Sequence, residues 1–531
     1  MPDVKVLISD PMSSQAVHVF EERGIEVVQS RKMSEAELID MIPDFDGLAV
    51  RSATLVNDKL LQVATKLKVV GRAGIGVDNV DVPACTTRGI VVMNTPMGNA
   101  ITTAEHALAM MFALARHIPQ ANATTHAGAW AKSKYMGVEL TGKTLGILGA
   151  GNIGSIVAQK ALGFGLKVQA YDPYLSEDRA NKLGIKKVEL EELIRSSDII
   201  SLHVPKTAET ENVINAKAIN QMKQGVLLIN CARGGLVDEV ALRAALESGH
   251  IRGAALDVFA EEPARDNPLF GMENLICTPH LGASTVEAQE KVAIQIAEQI
   301  ADYLLDGSIK NALNAPSLTA EEMRKLKPHL QLANYLGSLV GQLTHKLIKG
   351  ITITYSGDNV SLNLEPLTTQ IVQSALGPRF DNINTVNARQ VARDRGIHIT
   401  EAKDDVEDVY QNRITVEVIA EDKTRRVCGT LINNRPRLVD IKGIKLESKF
   451  GQHMLYITNQ DQPGVIGAIG NFAADKGINI DNMHLGRLET NGDAVCLLEI
   501  NAPVSNDDLR ALREIDKIHD AQYLCFTSLA L

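Results

Sequence analysis

The stretch ILGAGNIGS, residues 147–155, decides the fold. It sets Gly149, Gly151 and Gly154 in the spacing G-x-G-x-x-G, between the apolar run TLGIL and the helical run IGSIVAQKAL. A strand that turns on glycines into a helix presents free N–H groups at the helix start, where a pyrophosphate fits. Gly149 allows the tight turn, Gly151 lets the pyrophosphate approach the backbone, and Gly154 lets the helix pack on the strand. The next strand, VQAYD, ends at Asp172. An acid there accepts hydrogen bonds from both hydroxyls of an adenosine ribose and repels a 2′-phosphate. The pattern predicts a Rossmann domain that takes NAD in preference to NADP.

The loop sits far from the start of a chain of 531 residues, which is too long for one hydrophobic core and calls for about three or four domains. Upstream, residues 4–92 alternate the β-rich runs VKVLISD, IEVVQS, DGLAVRS, LKVVGRAG and GIVVMN with helical stretches, which predicts a parallel sheet. Residues 99–117 read as a helix ending just before Pro119. A second α/β series runs from Thr144 through KVQAYD, DIISLH, GVLLINCA, GAALDV and LICTPH. Residues 286–305 form an amphipathic helix with Val292, Ile296 and Ile300 on one face, stopped by Gly307. NALNAP, 311–316, reads as a linker, and 318–445 carries a further α/β pattern without evident chemistry. From His453 the order is strand, helix, strand, strand, helix, strand, a ferredoxin-like unit.

Composition narrows the class. A hydrophobic fraction of 45% and a charged fraction of 22% are ordinary for a globular protein. A net charge of -10 argues against a nucleic-acid surface. The apolar run ALAMMFALA, 107–115, is far below the roughly 20 residues that span a bilayer. MPDVKVLISD reads as a first strand and not as a signal peptide. The 6 cysteines lie singly, with no metal-like spacing, as in a reducing compartment. The expectation is a cytoplasmic protein with no metal, no nucleic acid and no membrane partner.

Several other stretches gain meaning when taken in order: GRAGIGVDNVD (71–81), NTPMGNAITTAEHALAMM (94–111), NCARGGLVDE (230–239), LDVFAEEP (256–263) and TPHLGAS (278–284). Together with the glycine loop they resemble the D-2-hydroxyacid dehydrogenase family. INTVNARQVARDRGI (383–397) and the tail resemble the intervening and ACT domains of its long form, which acts on a phosphorylated glycerate. The resemblance implies a flavodoxin-like substrate-binding domain (1–98 and 288–314) with the Rossmann NAD-binding domain (99–287) inserted in it. An α/β intervening domain (315–448) and a ferredoxin-like ACT regulatory domain (449–531) follow. It also implies NAD-dependent oxidation of 3-phospho-D-glycerate to 3-phosphooxypyruvate, the first step of L-serine biosynthesis, by a homodimer or homotetramer. Two alternatives stand beside this. One is the same chemistry on glycerate, hydroxypyruvate or 2-oxoglutarate; the other is a non-catalytic sensor of NAD and an amino acid.

Oxidation of a secondary alcohol needs a base, an anchor for the adjacent carboxylate and a close nicotinamide. His280, after an apolar strand, is the natural base because imidazole titrates near working pH. By resemblance Glu262 is its partner, and Arg233 offers a planar fork for the carboxylate. Singly, each of the three is as readily a structural residue; as an ordered set they point to catalysis. The resemblance places the carboxylate-binding turn at Gly74, Ile75 and Gly76, and the phosphate site at Arg51, Ser52 and Arg72. For the cofactor it adds Asn152, Ile153, His203, Val204, Cys231, Ala232, Asp257, Gly282 and Ala283. His106 and His117 lack metal-ligand spacing and read as packing or interface residues.

The tail, by its resemblance, implies an L-serine effector. Asp461 precedes the turn Gln462–Pro463–Gly464 that opens a helix, so free N–H groups are available to a carboxylate. Asn459 and Asp461, with Asn479 from a neighbouring copy, are the candidate groups for ammonium and hydroxyl. One well-known version of the site has His and Asn where Asn459 and Asp461 stand.

Overall fold

The computed structural model describes residues 4–30, 33–404, 410, 412–487 and 492–528. Asp3, the first charge of the opening strand, lies outside them. Each alternating run becomes a strand in one of four sheets.

The glycine loop joins the strand Thr144–Leu148 to the helix Asn152–Gly163. That strand lies inside a parallel seven-stranded sheet ordered Leu275–Cys277, Ile251–Leu256, Val226–Asn230, Ile199–Leu202, Thr144–Leu148, Lys167–Tyr171, Lys186–Lys187. Strand order reverses direction between Thr144–Leu148 and Ile199–Leu202. In a doubly wound sheet that reversal opens a crevice beyond the strands' carboxyl ends. The strands read as near-continuous apolar runs because helices cover both faces.

The upstream runs form a parallel five-stranded sheet ordered Glu26–Gln29, Lys5–Ile8, Gly47–Val50, Val69–Arg72, Val91–Asn94, the flavodoxin-like order. The helix Val286–Asp306 returns to it after the seven-stranded sheet is complete, and Ile296 and Ile300 are fully buried against Val6, Val69 and Val91. Gly307 ends this helix in the left-handed conformation, as the sequence predicts. The first crossover helix is shorter than its apolar pattern. It spans Ala100–Ala115, and Pro119 lies in the first turn of the next helix, Ile118–His126, where its missing N–H costs nothing.

NALNAP is not a free linker. Its backbone pairs along the edge strand Val91–Asn94, and the Asn314 side chain accepts from the Val92 N–H at 2.8 Å and donates to the Ile90 carbonyl at 2.8 Å. The following unit packs the helix Ala320–Leu343 on a six-stranded mixed sheet. Within INTVN, Val386 enters the core of the five-stranded unit, and Asn384 donates to the Gly89 carbonyl at 2.8 Å. The tail has the order and antiparallel pairing of a ferredoxin-like fold, Ile480–Arg487, Asp493–Ile500, His453–Gln460, Ile518–Cys525. One face of its sheet is covered by its own two helices, and the other, with Met454, Tyr456 and Leu497, shares a core with the intervening unit. Among the described residues no helix is long and apolar enough to cross a membrane.

Candidate active site

A cleft of about 830 Å³ lies between the two parallel sheets, within the usual range of roughly 300–1,000 Å³ for a small-molecule site. Strands from both sheets end at it. Arg51 and Arg72 come from one side; His203, Arg233 and His280 come from the other.

His280 lies in the left-handed region at φ 56°, an uncommon place for a residue with a side chain. Its N–H donates to the Asp257 carbonyl at 2.9 Å, which turns the side chain toward the cleft. There Nδ1 meets Glu262 Oε2 at 2.7 Å, leaving Nε2 for a ligand. The hydrogen bond that His280 donates to Glu262 outweighs burial and raises the His280 pKa above the ordinary imidazole value. Burial pushes the Glu262 carboxyl up, yet the hydrogen bonds it accepts from His280 and from the Phe259 N–H outweigh that and lower it. Glu262 is thus charged and His280 is tuned as an acid–base group.

Three cations crowd the cleft, Arg233 from the side of His280 and Arg51 and Arg72 from the facing side. Arg233 Nη1 donates to the Ala232 carbonyl at 2.7 Å, and Nε lies 3.2 Å from Asp78 Oδ2. Gly76 makes room for it, since a Cβ there would strike Arg233 Nη2 and sit 2.8 Å from Asp78 Oδ2. Burial, then repulsion by Arg233, pushes the Arg72 guanidinium down to about 10, still a cation at neutral pH. Its Nε is buried without a partner. Arg51 adds to the repulsion and donates to the Pro11 carbonyl at 3.1 Å. Ser52, Gly74, Ile75 and Gly76 line the cleft on the side of Arg51 and Arg72. Such a surplus of charge fits an anion with more than one negative group.

The residues around the glycine loop fit a dinucleotide. A Cβ on Gly154 would strike the Gly149 carbonyl, so helix and strand touch there, whereas one on Gly151 would meet nothing within 4 Å. The open side of Gly151 and the uncapped helix start form the cradle. Asp172 accepts from the Ala150 N–H at 2.9 Å and the Tyr174 N–H at 2.8 Å, which fixes its carboxylate beside the cradle. Asn152, Ile153, Val204, Cys231, Ala232, Gly282 and Ala283 line the cleft. So does His203, whose Nδ1 has no partner and whose imidazole burial pushes down to about 4, leaving it neutral.

Asp257 is fully buried beneath the cleft wall, behind the lining residues Thr278 and Gly282. Its carboxylate accepts from the Leu281 N–H at 2.7 Å, the Gly282 N–H at 2.8 Å and the Thr278 hydroxyl at 2.5 Å. It fastens the His280 turn to the sheet. His106, read from the sequence as a packing or interface residue, lies 3.3 Å from Asp257 Oδ1. Only its spacing of three after Thr103 hinted that it faces the same way.

The three effector candidates lie in the tail, away from the cleft. Asn459 is buried with Oδ1 unpartnered, Asp461 pairs with Arg487 at 3.2 Å, and Asn479 is exposed and donates to Asp481 at 2.6 Å.

Residues 108–282 match the NAD binding domain of the D-isomer specific 2-hydroxyacid dehydrogenases, and residues 325–442 match the D-3-phosphoglycerate dehydrogenase intervening domain. The chain is 42% identical over 520 residues to the D-3-phosphoglycerate dehydrogenase of Synechocystis, covering 97% of this chain and 94% of that protein. It is 43% identical over 517 residues to that of Bacillus subtilis, covering 97% and 98%. Among solved structures, a D-lactate dehydrogenase from Aquifex aeolicus, complexed with NAD and lactic acid, aligns at 29% identity and TM-score 0.52. That match covers 59% of this chain and 100% of the other, so the intervening and C-terminal units are additional to the catalytic fold. The chain belongs to the D-3-phosphoglycerate dehydrogenase family, a branch of the NAD-dependent D-2-hydroxyacid dehydrogenases.

Proposed function

We propose that the chain oxidises 3-phospho-D-glycerate at C2 to 3-phosphooxypyruvate with NAD, the first step of L-serine biosynthesis. One observation carries this reading: the His280–Glu262 pair shares a cleft with three arginines. The glycine cradle and Asp172 would hold NAD, which would supply the acceptor for the hydride leaving C2. His280 Nε2 accepts the C2 hydroxyl proton, and Glu262 stabilises the resulting imidazolium. Arg233 and the turn Gly74–Ile75–Gly76 hold the carboxylate. Arg51, Ser52 and Arg72 hold the phosphate, whose charge of about −1.5 to −2 at pH 7 balances a cation cluster that a lone carboxylate would leave in surplus. Asn152, Ile153, His203, Val204, Cys231, Ala232, Gly282 and Ala283 form the cofactor's wall. The filled set of catalytic positions speaks against a sensor that has lost its chemistry.

The test is NADH formation from 3-phospho-D-glycerate across pH, in wild type and in Glu262→Gln. The base must be neutral to accept a proton, and Glu262 raises its pKa. Removing the carboxylate lowers that pKa. The acid limb of kcat for oxidation should move to lower pH, with a weaker base and a lower plateau above it. A limb that does not move would remove Glu262 from the role. Absence of NADH would remove the substrate.

The same reading makes the working enzyme cytoplasmic and a homodimer or homotetramer; for the assembly, support comes from Ile118, Trp130 and Met136, each an exposed large hydrophobic residue after the first crossover helix. It gives the tail an L-serine site at Asn459 and Asp461, with Asn479 supplied by a second copy. Support comes from the helix Val465–Asp475, which starts at Gly464 without a side-chain cap and so leaves N–H groups free. Calorimetry should detect serine binding at millimolar concentration, with activity falling in step. A coupling of about 1–3 kcal/mol corresponds to a 5- to 150-fold change in affinity. An enzyme that binds no serine has an assembly module there.

A further inference from the structure

The first crossover helix, Ala100–Ala115, borders the cleft at its start, where Asn99 and Thr103 line the wall. One turn on, His106 points at the knot beneath the His280 turn. Its Nε2 lies 3.2 Å from Thr278 Oγ1 and 3.3 Å from Asp257 Oδ1. Thr278 spends its own proton on Asp257, so its oxygen can only accept, and the proton at this contact belongs to His106 Nε2. Asp257 is fully buried, and His106 Nε2 is the side-chain nitrogen that approaches it, at 3.3 Å. Burial pushes the Asp257 carboxyl up, but hydrogen bonds from His106, Thr278 and Leu281 hold it below the ordinary value. A charged carboxylate is therefore fixed under the catalytic turn.

We propose that His106 is a positioning residue for the general base: through Asp257 it steadies the turn that carries His280 and moderates the negative charge that His280 faces. This rests on His280 being the base. The charged groups around His280 are Glu262 at Nδ1, Asp257 beneath the turn and Arg233 on the same side of the cleft, and Cys231 faces Asp257 from the neighbouring strand. His106 is not itself in the cleft wall; it reaches the wall through Thr278.

Loss of His106 has one sign. Asp257 keeps three donors and stays ionised, but its charge is less satisfied and attracts the His280 proton more strongly. If His106 is itself protonated, its loss also removes a cation from the neighbourhood, in the same direction. In His106→Leu the His280 pKa should rise, moving the acid limb of kcat to higher pH, the opposite of Glu262→Gln. kcat at neutral pH should fall about tenfold, a fraction of the 10²–10⁴ worth of the base, with KM for both substrates within about twofold. His106→Gln keeps a donor on a side chain of similar reach and should restore most of both. The His280 titration is read directly by NMR of histidine-labelled enzyme, with His280→Asn identifying its signal. That readout needs no turnover, so it separates failure of this inference from failure of the substrate assignment. If His106→Leu does not fold, His106→Asn, too short to reach Asp257, replaces it. An unmoved His280 titration in a folded variant, or a glutamine variant as impaired as the leucine one, overturns the proposal.

Discussion

His280→Asn is expected to lower kcat by about 10²–10⁴, the usual worth of a positioned base. At about 1.4 kcal/mol per factor of ten, that is roughly 3–5 kcal/mol of transition-state stabilisation. Asparagine fills much of the same space and tolerates a positive φ better than most residues, so the turn at φ 56° should survive. KM should change little, because the proposed binding groups for the substrate, Arg233, Arg72 and Arg51, remain in place. A variant with near wild-type kcat would mean the proton goes elsewhere.

The second large effect concerns the phosphate. Arg72→Ala should raise KM for 3-phospho-D-glycerate about 10- to 100-fold, since a hydrogen bond to a charged group is worth about 1.5–3 kcal/mol. KM for D-glycerate should hardly move. The fold should suffer little, because Arg72 is a partly buried cation for which burial and repulsion by Arg233 and Arg51 outweigh the attraction of Asp78 and Asp10. If both substrates suffer alike, Arg72 positions the cleft and the phosphate is held elsewhere.

These residues were readable from the sequence to different depths. The glycine loop needs no tertiary information: its spacing, the strand before it, the helix after it and Asp172 fix a local backbone shape and its ligand together. The helix Val286–Asp306 was equally plain, since Val292, Ile296 and Ile300 repeat on one face and Gly307 stops it. Asp257 was not. A residue just past a strand end can turn toward the cleft or beneath it, and only the packed N–H groups of Leu281 and Gly282 decide which. His106 was missed for the same reason, because helical periodicity gives the buried stripe and not the carboxylate across from it. NALNAP misled because Pro and Asn mark a turn without saying whether a sheet edge waits beside it. The left-handed backbone of His280 carries no sequence signal, since nothing but its surroundings holds it there.

The most direct measurement is kcat/KM with NAD for 3-phospho-D-glycerate against D-glycerate, in wild type beside Arg72→Ala. Two arginines that engage only the phosphate should favour the phosphorylated substrate by about 10²–10⁴ in wild type, and the ratio should collapse by about 10- to 100-fold in the variant. A wild-type ratio near one, unchanged in Arg72→Ala, would contradict the account.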